Sequence, residues 1–163
     1  MTAEASSIPI VDFGGWGSKA LVDDKASIAA RLAEACRKVG FVYITNHSVS
    51  PEKLAEVFSW SKKLFDLKLE QKMMAPHPSG HAVHRGYSWP GLEKVSNAMG
   101  DETDAEELKQ NLRRISDVKE SYEIGSEGNK DQPNQWIPED VLPGCRDFME
   151  GFYWDCHQAA MSI

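Results

Sequence analysis

The chain lacks the cysteine pattern of two large protein classes. It holds three cysteines among 163 residues, and no two of them form a Cys-x-x-Cys pair. An odd number without such a pair argues against a disulfide framework and against a zinc ribbon. Buried free thiols in a reducing compartment are the simpler interpretation, so we expect a cytoplasmic protein.

Positive charge and long apolar runs are also scarce. Eighteen Lys and Arg stand against 25 Asp and Glu, which gives a formal net charge of -7, and no basic cluster is long enough to follow a phosphate backbone. No apolar run approaches the roughly 20 residues that span a bilayer, and the first residues show no secretory pattern. We therefore expect neither a nucleic-acid partner nor a membrane.

What the chain does contain is ordinary for a globular protein. Its hydrophobic content of 41% and charged content of 26% are average, and its length suits one domain with a sizeable core. Residues 1–7 are small and polar, which predicts a flexible terminus. The folded domain is therefore expected over residues 8–163.

Local signals predict helices packed against a few strands, an α+β fold class. β-Branched and aromatic runs indicate strands, whereas periodic apolar residues with capping signals indicate helices. The predicted strands are residues 8–13, 41–46 and 117–124, and the predicted helices begin at Asp23, after Ser50, at Thr103 and at Pro143.

Several segments of the chain resemble one known family. They are IPIVDF (8–13), GFVYITNH (40–47), KKLFDLKLEQK (62–72), HRGY (84–87) with DVKESYEIG (117–125), and PNQWIP (133–138) with LPGCR (142–146). Together they are similar to the N-terminal domain of the isopenicillin N synthase-like iron(II)- and 2-oxoglutarate-dependent dioxygenases. The resemblance covers nearly the whole chain, and the HRGY and DVKESYEIG pair is its most specific part.

The chain departs from the family pattern at three positions. Ser48 stands where the family has Gly after Asn-His, so we expect a different backbone path or strain in that turn. Lys68 replaces a Pro, which predicts that the helix runs on, with Glu70 and Lys72 facing water. Cys145 stands where Phe is common.

The resemblance implies a fold and a chemistry for a longer form. It implies the N-terminal part of a double-stranded β-helix, or jelly-roll, oxygenase whose catalytic barrel is mostly absent from this chain. Fe(II) and 2-oxoglutarate are implied as cofactors of that full-length form, together with a small-molecule substrate. The missing C-terminal barrel is then the expected partner.

The histidines of this chain do not form the family's metal centre. Iron in such enzymes needs two imidazoles and a carboxylate on one face, and none of the five histidines is followed two residues later by Asp or Glu. We therefore predict no catalytic, cofactor-binding or metal-binding residue in this chain. His77, His81 and His84 do cluster, but Pro76, Pro78 and Gly80 disfavour a helix there, and chance clustering in a polar loop is the stronger interpretation.

Arg85 and Tyr87 are the candidate substrate-binding residues. In the family, the Arg-Gly-Tyr segment lies near the mouth of the barrel that holds iron, so the resemblance implies that both residues line a substrate pocket. The alternative is structural: Tyr87 packs in the domain, and Arg85 pairs with Asp117 or Glu120. Residue types alone leave both interpretations open.

The last helix still runs at Ile163 without a stop signal, which predicts that the chain is a fragment. The leading hypothesis is the N-terminal region of an oxygenase that is inactive by itself. The alternative is a stand-alone, catalytically inactive interaction or regulatory module that uses an exposed strand edge. A metal-binding protein that uses the histidine cluster is a third possibility.

Overall fold

The computed structural model describes residues 7–16, 22–79, 83–92 and 118–163, with side chains from residue 24 onward in the first helix. These residues fall into two compact units: the first unit is Met1–Leu54 with Asp155–Ile163, and the second unit is Ala55–Trp154. The architecture is α+β with few strands. In chain order the elements are β1 (Ile10–Asp12), α1 (Val22–Lys38), β2 (Tyr43–Thr45), α2 (Pro51–Phe65), α3 (Leu69–Lys72), β3 (Gly86–Ser88), β4 (Ser121–Glu123) and α4 (Cys145–Ser162).

In the first unit, β1 and β2 pair in parallel on either side of helix α1 in the chain. Val11 lies opposite Ile44 in the register, and a parallel pair needs such a crossover connection. Val11, Phe13 and Ile28 are buried together, so α1 covers one face of the pair. The short apolar, β-branched run at 8–13 predicts a buried strand, but this holds for one face only, because Ile10 on the other face is 60% exposed.

The boundaries of α1 follow the sequence signals closely. The helix ends at Lys38, and Gly40 has a φ of +82°, the left-handed conformation that closes many helices and suits glycine. The amide of Gly40 donates to the carbonyl of Ala35 at 3.2 Å. In the sequence, the glycine after the helical apolar pattern predicts the end of the helix at Gly40, and the structure confirms it.

The turn after β2 accommodates Ser48 by placing its left-handed residue earlier. Asn46 has a φ of +54°, and Asn tolerates this region better than most residues. Its Nδ2 donates to Oδ1 of Asp12 at 2.8 Å, and the amide of Gly14 donates to the same oxygen at 2.7 Å. These two hydrogen bonds hold the pKa of Asp12 below its usual value, and the one from Gly14 has the larger effect.

In the second unit, β3 and β4 pair antiparallel. Gly86 lies opposite Glu123, and Tyr87 lies opposite Tyr122. All three residues of β3 are buried. The core beside this pair contains Leu64, Ala75, Ile137, Leu142, Cys145 and Met149.

The predicted continuation of the second helix through Lys68 was wrong. Helix α2 begins after Ser50, whose Oγ accepts the amide of Lys53 at 3.2 Å, as predicted, but it ends at Phe65. Lys68 is extended, with φ -62° and ψ 151°, and a new short helix starts after it. Lys72 is only 8% exposed, contrary to the expectation that it faces water, because its ammonium has an internal partner.

The thiols differ in exposure. Cys145 is buried and Cys156 is half-buried, whereas Cys36 is exposed, so the interpretation of all three as buried was wrong. Helix α4 spans most of the predicted 143–163 segment. In the part of the chain that the structure describes, no helix is long and apolar enough to cross a membrane. The predicted helix at 103–115 and residues 1–6 lie outside the described residues.

Candidate functional site

Two polar side chains converge on one carboxylate oxygen in the second unit. Oε2 of Glu120 accepts a hydrogen bond from the hydroxyl of Tyr87 at 2.6 Å and from Nζ of Lys72 at 2.7 Å. The Lys72 ammonium also donates to the carbonyl of Phe65 at 3.2 Å and lies 5.1 Å from the centre of the Tyr87 ring. This group, the Lys72–Tyr87–Glu120 network, ties α3, β3 and the residue before β4 together.

The electrostatics of the network favour an ionised pair beside a neutral phenol. Hydrogen bonds from Lys72 and then Tyr87 lower the pKa of Glu120. Burial opposes the charge on Lys72, but the hydrogen bonds with Glu120 and Tyr87 outweigh it and raise the Lys72 pKa. Burial and then the bond to Glu120 raise the pKa of Tyr87. At neutral pH the phenol therefore stays a donor.

Tyr87 lies in the interior, with 1% of its surface exposed. Its carbonyl accepts the amide of His77 at 2.8 Å, and its amide donates to the carbonyl of Ala75 at 2.7 Å. Gly86 beside it has a φ of +77°, and a Cβ there would lie 2.7 Å from the Ala75 carbonyl oxygen. Only glycine permits this close backbone approach.

Arg85 lies half-buried just before β3. Its Nη1 donates to the carbonyl of His84 at 2.6 Å, and a Cβ on Gly125 would lie 2.3 Å from its Nη2. Nε of Arg85 is buried without a hydrogen-bond partner among the described residues. The guanidinium therefore lies against the Gly125 backbone. Asn134 holds that backbone, since its amide group bonds both the N–H and the C=O of Gly125 at 2.8 Å.

The structure agrees with the structural alternative for Tyr87 but not with the pairing of Arg85 with Glu120. Tyr87 does pack inside the unit, as that alternative stated. Glu120, offered there as a partner of Arg85, instead bonds Lys72 and Tyr87, and Asp117 lies outside the described residues. The substrate-binding role of Arg85 and Tyr87 stays a prediction.

A second polar group lies at the other end of the β3–β4 pair. One ligand atom from each of His77, His84 and Glu123 lies within 4.8 Å of the others. The two imidazole ring centres are 6.0 Å apart, and Nδ1 of His84 is 4.0 Å from Oε2 of Glu123. His81, the third member of the sequence cluster, lies outside the described residues.

This group has the donor types of the resembled family's iron centre but not its sequence pattern. Across the described residues it is the one set of three such side chains that could hold a metal. Its spacing, with Arg85 and Gly86 after His84, lacks the His-x-Asp pattern of that family. No step of iron or 2-oxoglutarate chemistry can therefore be assigned to these residues.

Sequence reasoning gave Lys72 and Glu120 other surroundings and assigned no role to Glu123. Strand alternation offers a signal for one of them, because residues 120, 122 and 124 share a face, and Tyr122 and Ile124 are apolar. Glu120 is thereby directed inward with them. Lys72 and Glu123 have no comparable local signal, since their partners are distant in the chain.

Comparison with known proteins gives consistent matches. The family described as non-haem dioxygenase in morphine synthesis N-terminal matches residues 8–140. The chain is 39% identical over 132 residues to the 2-oxoglutarate-Fe(II) type oxidoreductase ppzD of Metarhizium rileyi, covering 81% of this chain and 36% of that protein. It is 33% identical over 152 residues to the 2-oxoglutarate-dependent dioxygenase htyE of Aspergillus rugulosus, covering 93% and 45%.

Solved structures agree with this relationship. A full-length Neurospora crassa protein in complex with alpha-KG matches with a TM-score of 0.72 and 30% identity, over 95% of this chain and 44% of that one. The same protein with alpha-KG and thymine gives a TM-score of 0.70 and 34% identity, over 91% and 44%. The chain thus spans less than half the length of the relatives it matches.

Proposed function

The chain belongs to the non-haem dioxygenase N-terminal family, and from this premise we propose that it is the N-terminal region of an iron(II)- and 2-oxoglutarate-dependent oxygenase acting on a small organic molecule. The observation that carries the proposal is the family match over residues 8–140. It is supported by relatives named 2-oxoglutarate-dependent dioxygenases. The Neurospora crassa protein, which shares the fold, binds alpha-KG and thymine.

In this proposal the iron, the 2-oxoglutarate and the reaction belong to a C-terminal barrel outside the chain. When bound there, the metal and cosubstrate would supply the oxidation. The first unit has a surface suited to packing against further structure: Ile10 and Tyr43, opposite each other in the register, are each 60% exposed, and Phe41 is 69% exposed. Apolar side chains on an open strand pair favour coverage by another element. The free thiols favour a reducing compartment, so we place the enzyme in the cytosol.

Within that enzyme we propose that Arg85 contacts a polar or anionic group of the substrate, with Tyr87 positioning it. The guanidinium offers several forked donors, and the Arg85 side chain is only half-buried. Tyr87 is buried and bonded to Glu120, so it would act by anchoring β3 behind Arg85. This division gives the two residues distinguishable effects.

The first test determines the transcript sequence and then measures the activity of the longer protein. The messenger sequence downstream of Ile163 is expected to continue in frame to a His-x-Asp and a distal His. The longer protein is expected to convert 2-oxoglutarate to succinate with Fe(II), whereas the 163-residue chain alone does not. An in-frame stop directly after Ile163, or turnover by the chain alone, would contradict the proposal.

The second test separates Arg85 from Tyr87 in that longer protein. Arg85→Ala should lower kcat/KM about tenfold or more while the urea midpoint is unchanged, and Arg85→Lys should rescue it only in part because lysine lacks the fork. Tyr87→Phe should mainly lower the free energy of unfolding, because it removes the hydrogen bond from the phenol to Glu120. If Arg85→Ala alters stability and leaves kcat/KM intact, the substrate role is wrong.

A second candidate function rests on the exposed face of the β1–β2 pair. The chain would then be a catalytically inactive module that binds a full-length relative through Ile10, Phe41 and Tyr43. Mixing the chain with such a relative and measuring complex formation by sedimentation discriminates the two. Stoichiometric binding that is abolished by Tyr43→Ser would favour the binding module. A coding sequence for the catalytic barrel, in frame after Ile163, would exclude it.

A further inference from the structure

We propose that His77, His84 and Glu123 bind a divalent transition ion of the zinc class, at a site separate from the iron centre of the family. Their ligand atoms lie within 4.8 Å of one another. Around a tetrahedral zinc ion, ligand atoms are about 3.3 Å apart, given bonds of about 2.0–2.1 Å. Small rotations of the side chains would close this group onto an ion.

The orientation of His77 suits a metal ligand. Its Nδ1 lies 2.6 Å from the carbonyl oxygen of Pro78. A carbonyl only accepts, so Nδ1 carries the proton and donates it. The lone pair is therefore on Nε2, and a backbone carbonyl that fixes the tautomer in this way is the usual outer partner of a metal-bound imidazole.

Glu123 supplies an unsatisfied charge at the same place. Its Oε2 is buried and accepts no hydrogen bond from any described residue, although burying a carboxylate oxygen without a partner is costly. Nδ1 of His84 is near it at 4.0 Å but beyond hydrogen-bond reach. A cation between the two would satisfy the carboxylate and use the lone pair of each imidazole.

The backbone of the β3–β4 pair brings the ligands together. The amide N–H of His77 donates a hydrogen bond to the Tyr87 carbonyl in β3, and Glu123 in β4 lies opposite Gly86 in the strand register. His84 lies two residues before β3 and is 68% exposed at its side chain. Two imidazoles and one carboxylate select transition ions over Mg²⁺ or Ca²⁺, which prefer oxygen. The exposed side leaves a fourth position for water.

This inference differs from the expectation of no metal ligand in the chain, which considered the spacing of the iron motif and a cluster of His77, His81 and His84 but did not include Glu123. The ligands here come from three separate segments. The group also stands apart from the proposed function, because its metal binding can be measured in the 163-residue chain without any oxygenase activity.

The test is calorimetric titration of the chelator-stripped chain with Zn²⁺, and with Co²⁺ while its visible absorption is recorded. One ion per chain is expected, with Co²⁺ bands typical of low-coordinate nitrogen and oxygen ligands. Glu123→Gln and His84→Gln should each weaken binding at least tenfold, and circular dichroism should show that both remain folded. His47→Gln, outside the group, is the matched control and should bind as the parent does. Mg²⁺ should not compete.

Three results would overturn the proposal. The first is the absence of stoichiometric Zn²⁺ binding in the folded parent chain. The second is equal affinity in the parent and in Glu123→Gln, which would remove the carboxylate from the ligand set. The third is loss of binding in His81→Gln with full binding in His84→Gln. If a variant unfolds, Glu123→Asp, which keeps the charge and shortens its reach, decides the same question by its affinity.

Discussion

The two strand pairs of this chain differ in how completely they are buried. In the second unit, every residue of β3 is buried, and its partner strand is half-buried throughout. In the first unit, α1 covers one face of the parallel pair, while Ile10 and Tyr43 on the other face are each 60% exposed. The strand pair of the second unit is therefore covered, whereas the pair of the first unit presents an apolar face that further structure can cover.

The same contrast holds for glycines and ion pairs. Gly40 and Gly86 have nearly equal φ values of +82° and +77°, yet a Cβ meets nothing within 4 Å at Gly40 and clashes at Gly86. Glu34 pairs with Lys38 on an exposed helix face, while the Lys72 side chain that pairs with Glu120 is only 10% exposed. Matched substitutions in the two units therefore isolate the effect of packing.

The largest effect is expected for glycine replacement. Gly86→Ala should destabilise the chain by about 3 kcal/mol or more, because strain adds to the clash with the Ala75 carbonyl. Gly40→Ala should cost only about 1 kcal/mol, the left-handed penalty alone. Urea unfolding measures both. Gly151→Ala, in an open position of α4, is the control and should stabilise by roughly 0.5–1 kcal/mol. Equal losses at Gly86 and Gly40 would remove the contrast.

The next effect concerns the carboxylates of the half-buried and the exposed ion pair. Glu120→Gln should lower stability at neutral pH by about 1–3 kcal/mol, the usual range for a hydrogen bond to a charged group. Because the folded pKa of Glu120 is lowered, its contribution is fully present above its ordinary pKa of 4.5 and is lost as pH falls through the folded value. The free energy of unfolding of the variant, measured with urea, should therefore fall less than that of the parent as the pH is lowered.

Glu34→Gln is the matched control for that measurement. Its pair with Lys38 is exposed on α1, where solvent screens the attraction. Neither the stability at neutral pH nor its acid dependence should change measurably. If Glu34→Gln loses as much stability as Glu120→Gln, the different exposure of the two ion pairs has no effect on their contribution to folding.

The third prediction compares the two faces of β1. Val11→Ala should cost about 2 kcal/mol, since it removes two buried methyl groups from a side chain that is 1% exposed. Ile10→Thr should alter stability by no more than about 0.5 kcal/mol. Because an uncovered apolar face favours pairing between copies of the isolated chain, we expect some self-association, measured by sedimentation velocity, and this variant should reduce it. Strong destabilisation by Ile10→Thr would mean that this face is already covered in the isolated chain.

The smallest effect is chemical and leaves stability unchanged. Burial raises the pKa of the Cys145 thiol to about 11, so very little thiolate exists at neutral pH, and access is blocked as well. Cys36 is exposed and should react first with an alkylating reagent, as read by peptide mass spectrometry. Cys145 should react only after urea is added. Rapid labelling of Cys145 in the folded chain would contradict its burial.

Sequence reasoning predicted the family and three of the four strands, all but β3, better than the contents of the site. The Arg-Gly-Tyr and DVKESYEIG segments alone related the residues that form β3 and β4 to one part of the family's fold. The internal partner of Lys72 and the meeting of His77 with Glu123 were not predicted. Both depend on which residues of β3 and β4 stand opposite each other, and strand register is a tertiary property.

By itself, the sequence determined the local elements, because their causes are local. Ser50 and Pro51 start α2, and Gly40 ends α1, since capping and φ preference act within a few residues. Only the tertiary structure decided that Lys72 lies inside, that Cys36 lies outside and that two imidazoles lie beside Glu123. Those outcomes depend on pairing between distant segments, where burial and charge compensation outweigh local propensity.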